Sequence, residues 1–201
     1  MKLIIASNNA HKIEEIRAII GGSFDEILSL REAGIEHETV EDGTTFAENA
    51  RKKAREIAEL TGCCALADDS GICVHALGNA PGIYSARFSG VHGDDEANNR
   101  LVLEKLRGAA DRGAHYECAM ALAGPDGSFV EAEGSFYGQI AETPAGDGGF
   151  GYDPIFWLPE YGMTVAQLGT DFKNSISHRH NALIALLEKL ETERKTKEEK
   201  E

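Results

Sequence analysis

Two adjacent carboxylates, Asp68 and Asp69, follow directly on the apolar run Cys64-Ala65-Leu66-Ala67. Such a run reads as a short buried strand, and Ser70-Gly71 just beyond it permits a sharp change of direction. Carboxylates beside an apolar strand must be solvated, paired or bound to a cation, so the Asp-Asp step suits a hard divalent metal that takes oxygen ligands. A solvated Asx turn accounts for an isolated DDSG equally well. Near the amino terminus, Ser7-Asn8-Asn9 supplies N-cap candidates for a helix carrying Ile13, Ile16, Ile19 and Ile20 on one face. A helix start presents unpaired backbone N–H groups and a positive dipole end, and Lys12 adds a full charge there, unfavourable for the dipole but useful beside phosphate. No GxxxxGK[ST] is present, so this is not a Walker A loop, and an ordinary capped helix fits the same residues.

The elements that must hold these groups are legible in outline. Residues 2–6 are apolar and read as a first strand. Thr45 with Glu48 three residues on forms a capping-box signature for a helix of about four turns, with Phe46, Ala50, Ala54, Ile57 and Ala58 as its apolar stripe. Lys53 shares a face with Asn49 four residues earlier, whereas Arg51 and Lys52 read as solvated. Among Glu38, Glu41 and Asp42, which precede that helix, local sequence selects none as a metal ligand. Asp94 or Asp95 caps a helix through Leu106, and Pro125-Asp126-Gly127 joins paired strands at His115–Ala123 and Ser128–Ile140. The segment PAGDGGFG at 144–151 is too rich in glycine to hold itself up and reads as a substrate loop. Ser177 caps a last helix with Ala182, Leu183, Leu186, Leu187 and Leu190 inward, and the charge run 191–201 is expected to fray.

With 201 residues, 42% of them hydrophobic and 27% charged, the chain supports one substantial core. The expectation is a single α/β domain over 1–201. The balance of 20 basic against 34 acidic residues gives a formal charge of −14, which repels nucleic-acid backbones and anionic membranes alike. A small anionic substrate is still admitted, because local lysines and a bound divalent cation outweigh the overall field within a pocket. No apolar run reaches about 18 residues, and Met1–Ala6 is too short for a signal peptide, so a cytoplasmic protein is expected. Cys63, Cys64, Cys73 and Cys118 show neither CxxC spacing nor a histidine at zinc-finger distance and read as reduced core residues.

Six motifs lie in one order along nearly the whole chain: SNNAHK at 7–12, EDGTTFAENARKKA at 41–54, LADDSG at 66–71, PGIYSARFSG at 81–90, GGFGYDPIF at 148–156 and KNSISHRHNAL at 173–183. Together they closely resemble the inosine/xanthosine triphosphate pyrophosphatases, which hydrolyse non-canonical purine nucleoside triphosphates. The resemblance implies a long mixed twisted sheet with flanking helices, two lobes around a central active-site cleft, and a homodimer. It implies Mg²⁺ held by Glu41 and Asp69, with Asp68 as a further ligand, and Asp69 as the proton acceptor that activates water. Lys12, Lys53 and Lys173 are then expected to offset phosphate charge, and Ser7, Asn8, Asn9, Ala10, His11 and Ser70 to line the phosphates. Base recognition falls to Phe150, Gly151, Tyr152 and Asp153 and to His178-Arg179. Phe150 or Tyr152 offers a stacking platform, Asp153 an acceptor for the N1–H of an oxo-purine, and Arg179 donors for its 6-oxo group, leaving adenine mismatched.

The chain departs from the family pattern at several positions. His75 stands where aspartate is usual, Asn8 where glycine is usual, and Cys63 and Cys73 read as packing variants. Two other readings stay open: a pyrophosphatase of other modified triphosphates, and a weakly active nucleotide-binding variant caused by His75.

Overall fold

The structure is a computed structural model and describes residues 2–20 and 22–198. Its strands are β1 (Lys2–Ile5), β2 (Glu26–Ser29), β3 (Cys64–Val74), β4 (Gly113–Ala123), β5 (Phe129–Ile140), β6 (Phe156–Leu158) and β7 (Met163–Thr164). They form one seven-stranded sheet in the order β2-β1-β3-β4-β5-β6-β7. β1 runs parallel to both β2 and β3, while the β5-β6 and β6-β7 pairs are antiparallel, so the sheet is mixed. The helices are α1 (Ala10–Ile20), α2 (Phe46–Thr61), α3 (Asp95–Lys105), α4 (Thr170–Ile176) and α5 (His178–Glu198). The α/β class with a long mixed sheet and flanking helices is therefore as expected. Among the described residues, no helix is long and apolar enough to cross a membrane.

Two compact units share the chain. The first takes the residues up to Asp69, Cys118–Gly134 and the chain from Arg179, and the second takes Ser70–Glu117 and Ser135–His178. In the first, Ile16 and Ile20 of α1 and Ala182, Leu183 and Leu186 of α5 pack with Leu3, Ile5, Leu66 and Met120 of the strands. Each buried Leu, Ile or Met side chain, removed from water, contributes about 1.5–3 kcal/mol, and the helix residues among them are those the periodicity marked. In the second, Val102 and Leu106 of α3 pack with Ile72, Val74, Tyr116, Ile140, Tyr152 and Phe156.

Local signals place the helix starts well. Thr45 Oγ1 accepts from Glu48 N at 3.1 Å, while Glu48 accepts from both the backbone and hydroxyl of Thr44 rather than closing the box on Thr45. Asp94 is the cap of α3, accepting from Ala97 N, and Asn9 Oδ1 accepts from Lys12 N at the start of α1. The charged run from Glu191 continues α5 as far as Glu198, and residues 199–201 lie outside the described ones.

The expected turn at Ser70-Gly71 is absent, because β3 continues through it to Val74. Gly71 serves a close approach instead of a bend: a Cβ there would collide with the Ser85 side chain and the Gly82 carbonyl oxygen. Asp68 and Asp69 thus sit in mid-strand, where successive side chains leave on opposite faces.

Candidate active site

That alternation separates the partners of the two aspartates. Asp68, 1% exposed, has Oδ2 at 3.1 Å from Lys12 Nζ and accepts from Arg179 Nη2 at 3.0 Å and Nε at 3.3 Å. Arg179 Nη1 donates in turn to Glu15. Burial alone would raise the Asp68 carboxyl, but Lys12 and Arg179 outweigh it and hold the group well below the usual carboxylate range. Asp69 faces α2. Its Oδ2 accepts from Asn49 Nδ2 at 2.9 Å, and its Oδ1 lies 3.7 Å from Lys53 Nζ, which donates to Glu41 Oε1 at 2.7 Å. Desolvation is the largest influence on Asp69 and raises its carboxyl above the ordinary value despite Lys53 and Lys12. Burial would lower the Lys53 ammonium, but Asp69, Asp68 and Glu41 hold it above the ordinary lysine value. Asn49 and Lys53 reach one carboxylate because they stand one helical turn apart.

A hard cation fits this donor set. Glu41 and Asp69 both approach one ammonium, so two carboxylate oxygens converge within the reach of a single charge, and every donor is oxygen. Magnesium is held by one or two carboxylates completed by phosphate oxygens and water. Asp68, expected as a further ligand, is instead the buried partner of Lys12 and Arg179, since strand alternation turns it away from the Asp69 face. Near the start of α1, Ser7 Oγ accepts from Asn9 N, Asn8 Nδ2 donates to the His37 carbonyl, and Ala10 and His11 are exposed. Ser70 follows Asp69 on β3 as the first residue of the second unit.

The second unit builds its own constellation around Asp153, which is 3% exposed. Its Oδ2 accepts from Lys173 Nζ at 2.6 Å and Phe150 N at 2.9 Å, and its Oδ1 accepts from Tyr116 Oη at 3.1 Å. Lys173 Nζ also lies 4.6 Å from the centre of the Phe150 ring. His178 stacks on Tyr116 with ring centres 4.7 Å apart and planes 12° from parallel. The glycine loop is held by α3: Asp95 accepts from Gly151 N at 2.7 Å, and Asn99 Nδ2 donates to Gly151 O at 3.0 Å. At Gly149, with φ of 71°, a side chain would run into Asp153.

Three expected residues have buried partners. Lys173, expected on the phosphates, has its ammonium against Asp153 and Phe150. Tyr152 is no stacking platform: it is 4% exposed in the core, and its hydroxyl donates to Ser85 O at 2.7 Å. Arg179, expected to meet a 6-oxo group, has its guanidinium buried between Asp68 and Glu15, two acidic groups that need a cation where water is excluded. Sequence reasoning missed Glu15 and Tyr116. The one available signal was that Glu15 lies three residues from Lys12 and so shares its helix face; nothing local marked Tyr116.

The Ham1 family model matches residues 3–189. This chain belongs to the Ham1 family. It is 46% identical to a dITP/XTP pyrophosphatase of Ralstonia nicotianae, across 94% of this chain and 96% of the relative. A dITP/XTP pyrophosphatase of Clostridium perfringens is 47% identical, with 94% and 97% covered. Among solved structures, the Ham1 protein of Staphylococcus aureus superposes with a TM-score of 0.86 at 40% identity, over 96% of this chain and all of that one. In this Ham1 protein, accordingly, the conclusion drawn from the six motifs stands: the resemblance extends over nearly the full length in both sequence and fold.

Proposed function

We propose that this Ham1-family protein hydrolyses non-canonical purine nucleoside triphosphates, dITP, ITP, XTP and dXTP, to the monophosphate and pyrophosphate, and so cleanses the nucleotide pool. The observation that carries the reading is the convergence of Glu41, Asp69, Asn49 and Lys53. Glu41 and Asp69 would hold Mg²⁺, which when bound would neutralise charge on the phosphate oxygens and acidify water. Asp69 takes the proton from the attacking water as general base. Asn49 fixes the Asp69 carboxylate through Oδ2. Lys53 balances the two carboxylates, and Lys12, at the start of α1, places a second ammonium beside the backbone N–H groups that favour phosphate. Lys12 is tied through Asp68 to the buried Asp68–Arg179–Glu15 cluster.

Groups of the second unit act on the base. Phe150 stacks, a contribution of roughly 1–3 kcal/mol. Three donors hold the Asp153 carboxylate, an acceptor for the N1–H that hypoxanthine and xanthine carry and adenine lacks. A site committed in this way rejects the mismatched base by leaving buried polar groups unpaired. The homodimer is part of the same reading and rests on the resemblance.

The test is a pyrophosphate-release assay with dITP, XTP, dATP and dGTP, with and without Mg²⁺, on the protein and on Asp69→Asn. Turnover of dITP and XTP should require Mg²⁺ and fall by about 10²–10⁴-fold in Asp69→Asn. Unchanged turnover in the variant removes Asp69 from its role, and a preference for dUTP or dTTP over dITP overturns the base assignment.

A further inference from the structure

Among the described residues, Cys73, His115 and Glu117 are the one trio of histidine, cysteine and acidic side chains whose ligand atoms all lie within 4.8 Å of one another. All three belong to the second unit. Cys73 lies on β3, and His115 and Glu117 lie on β4, its neighbour in the sheet. His115 and Glu117 are two residues apart on one strand and therefore share a face. Cys73 Sγ is 4.0 Å from Glu117 Oε2, and His115 Nε2 is 3.7 Å from the same oxygen. Ligand atoms around a tetrahedral zinc ion, at about 2.0–2.3 Å from it, are separated by about 3.3–3.8 Å. The two distances to Glu117 lie close to those values, and all three ligand atoms are near enough for side-chain adjustment to close them on one ion.

The surroundings give the other ring nitrogen of His115 a partner. His75 Nε2 lies 3.1 Å from His115 Nδ1, on the far side of the ring from Glu117. In the tautomer that donates Nδ1–H to His75, the lone pair of His115 is on Nε2, toward Glu117. Ligating histidines are commonly held in this way by a hydrogen bond from the other ring nitrogen. Tyr137 of β5 stacks on His115, with centres 5.3 Å apart and planes 29° from parallel. The three ligands thus stand on two adjacent strands, with a third supplying the ring against the imidazole. Glu117 is a third exposed at its side chain, which gives an ion a way in, while Cys73 is 5% exposed.

We infer that Cys73, His115 and Glu117 form a second metal site, selective for Zn²⁺ over Mg²⁺, with His75 holding His115 in its ligating tautomer. The chemistry of the donors separates it from the Glu41–Asp69 pair: thiolate and imidazole select borderline-soft ions, whereas a purely oxygen set suits Mg²⁺. Burial and the nearby Glu117 carboxylate keep the metal-free thiol protonated. Binding replaces that proton: the S–H bond breaks, H⁺ leaves to solvent, and the sulfur lone pair bonds the cation. Three protein ligands leave one tetrahedral position for water or an added ligand. His75, which departs from the usual aspartate, and Cys73, read from sequence as a packing variant, acquire a common explanation.

Equilibrium dialysis of the full chain against ZnCl₂ with excess MgCl₂ tests the inference. One Zn²⁺ per chain should be retained by the wild type and by Asp69→Asn, and none by Cys73→Ser or Glu117→Gln at the same free zinc. His75→Phe should weaken retention by about 10–100-fold. Co²⁺ in place of zinc should give a thiolate-to-metal charge-transfer band that Cys73→Ser abolishes. The paired variants Cys73→Ser and Glu117→Gln keep the test independent of a folding defect in either, which circular dichroism reports. No retained zinc, retention undiminished in Cys73→Ser, or loss confined to Asp69→Asn each overturns the site.

Discussion

Asp69 and Asp68 are chemically identical neighbours with opposite environments. The Asp69 carboxyl is raised chiefly by desolvation, so in the metal-free fold its ionised form is disfavoured. A carboxyl raised on folding contributes stability that is complete below the unfolded value of about 3.9 and is lost as pH rises through the folded value. Asp69→Asn should therefore be more stable than the wild type at pH 7 in EDTA, with the gap closing below about pH 4, as thermal melts across that range will show. That is the expected cost of holding a general base under poor solvation. Asp68 is the reverse case, held ionised by Lys12 and Arg179. Arg179→Met leaves Asp68 and Glu15 buried without their guanidinium, and should destabilise the protein by about 3–5 kcal/mol in urea unfolding.

At the level of elements, β3 organises the chemistry because it does not bend where its sequence invites a bend. Its continuation past Ser70 keeps Asp68 and Asp69 on opposite faces and carries Cys73 to the neighbouring strand. Gly71 is required for lack of a side chain rather than for an unusual backbone angle. Gly71→Ala must displace the Ser85 hydroxyl, which accepts from Ile72 N at 2.9 Å and donates to Gly82 O at 2.6 Å. A cost of about 1–3 kcal/mol is expected, measured as a lowered urea midpoint with an unchanged m-value. Helix α2 contributes in the opposite way, by regularity: its four-residue spacing sets Asn49 and Lys53 on Asp69, and its cap at Thr45 was readable from four residues.

For the whole molecule, the formal charge of −14 makes a divalent cation more than a catalytic accessory. Glu41, Asp68 and Asp69 gather acidic charge in the first unit, and an ion that binds only the folded chain stabilises it by mass action. Free Mg²⁺ at about 100 times its dissociation constant should add about 2.7 kcal/mol, read as an upward shift in melting temperature that Asp69→Asn lacks. A wild type indifferent to Mg²⁺ would count against the Glu41–Asp69 pair.

The chain alone determined α1, α2, α3 and α5, the Thr45 cap and the apolar stripes that build the first core, because capping and periodicity act within a few residues; it did not show the short α4, whose C-cap is Ser177. It also displayed the six motifs, since their order along the chain is itself one-dimensional information. It did not determine which charges meet. Lys173 meets Asp153, and Arg179 meets Asp68 and Glu15, pairings that no local spacing displays. Tyr152 was weighed as a platform although its hydroxyl is tied to Ser85. Cys73, His115 and Glu117 show no spacing that suggests a metal, since strand adjacency alone brings them together. Burial and ion pairing depend on contacts across the sheet, and only the tertiary structure decides them.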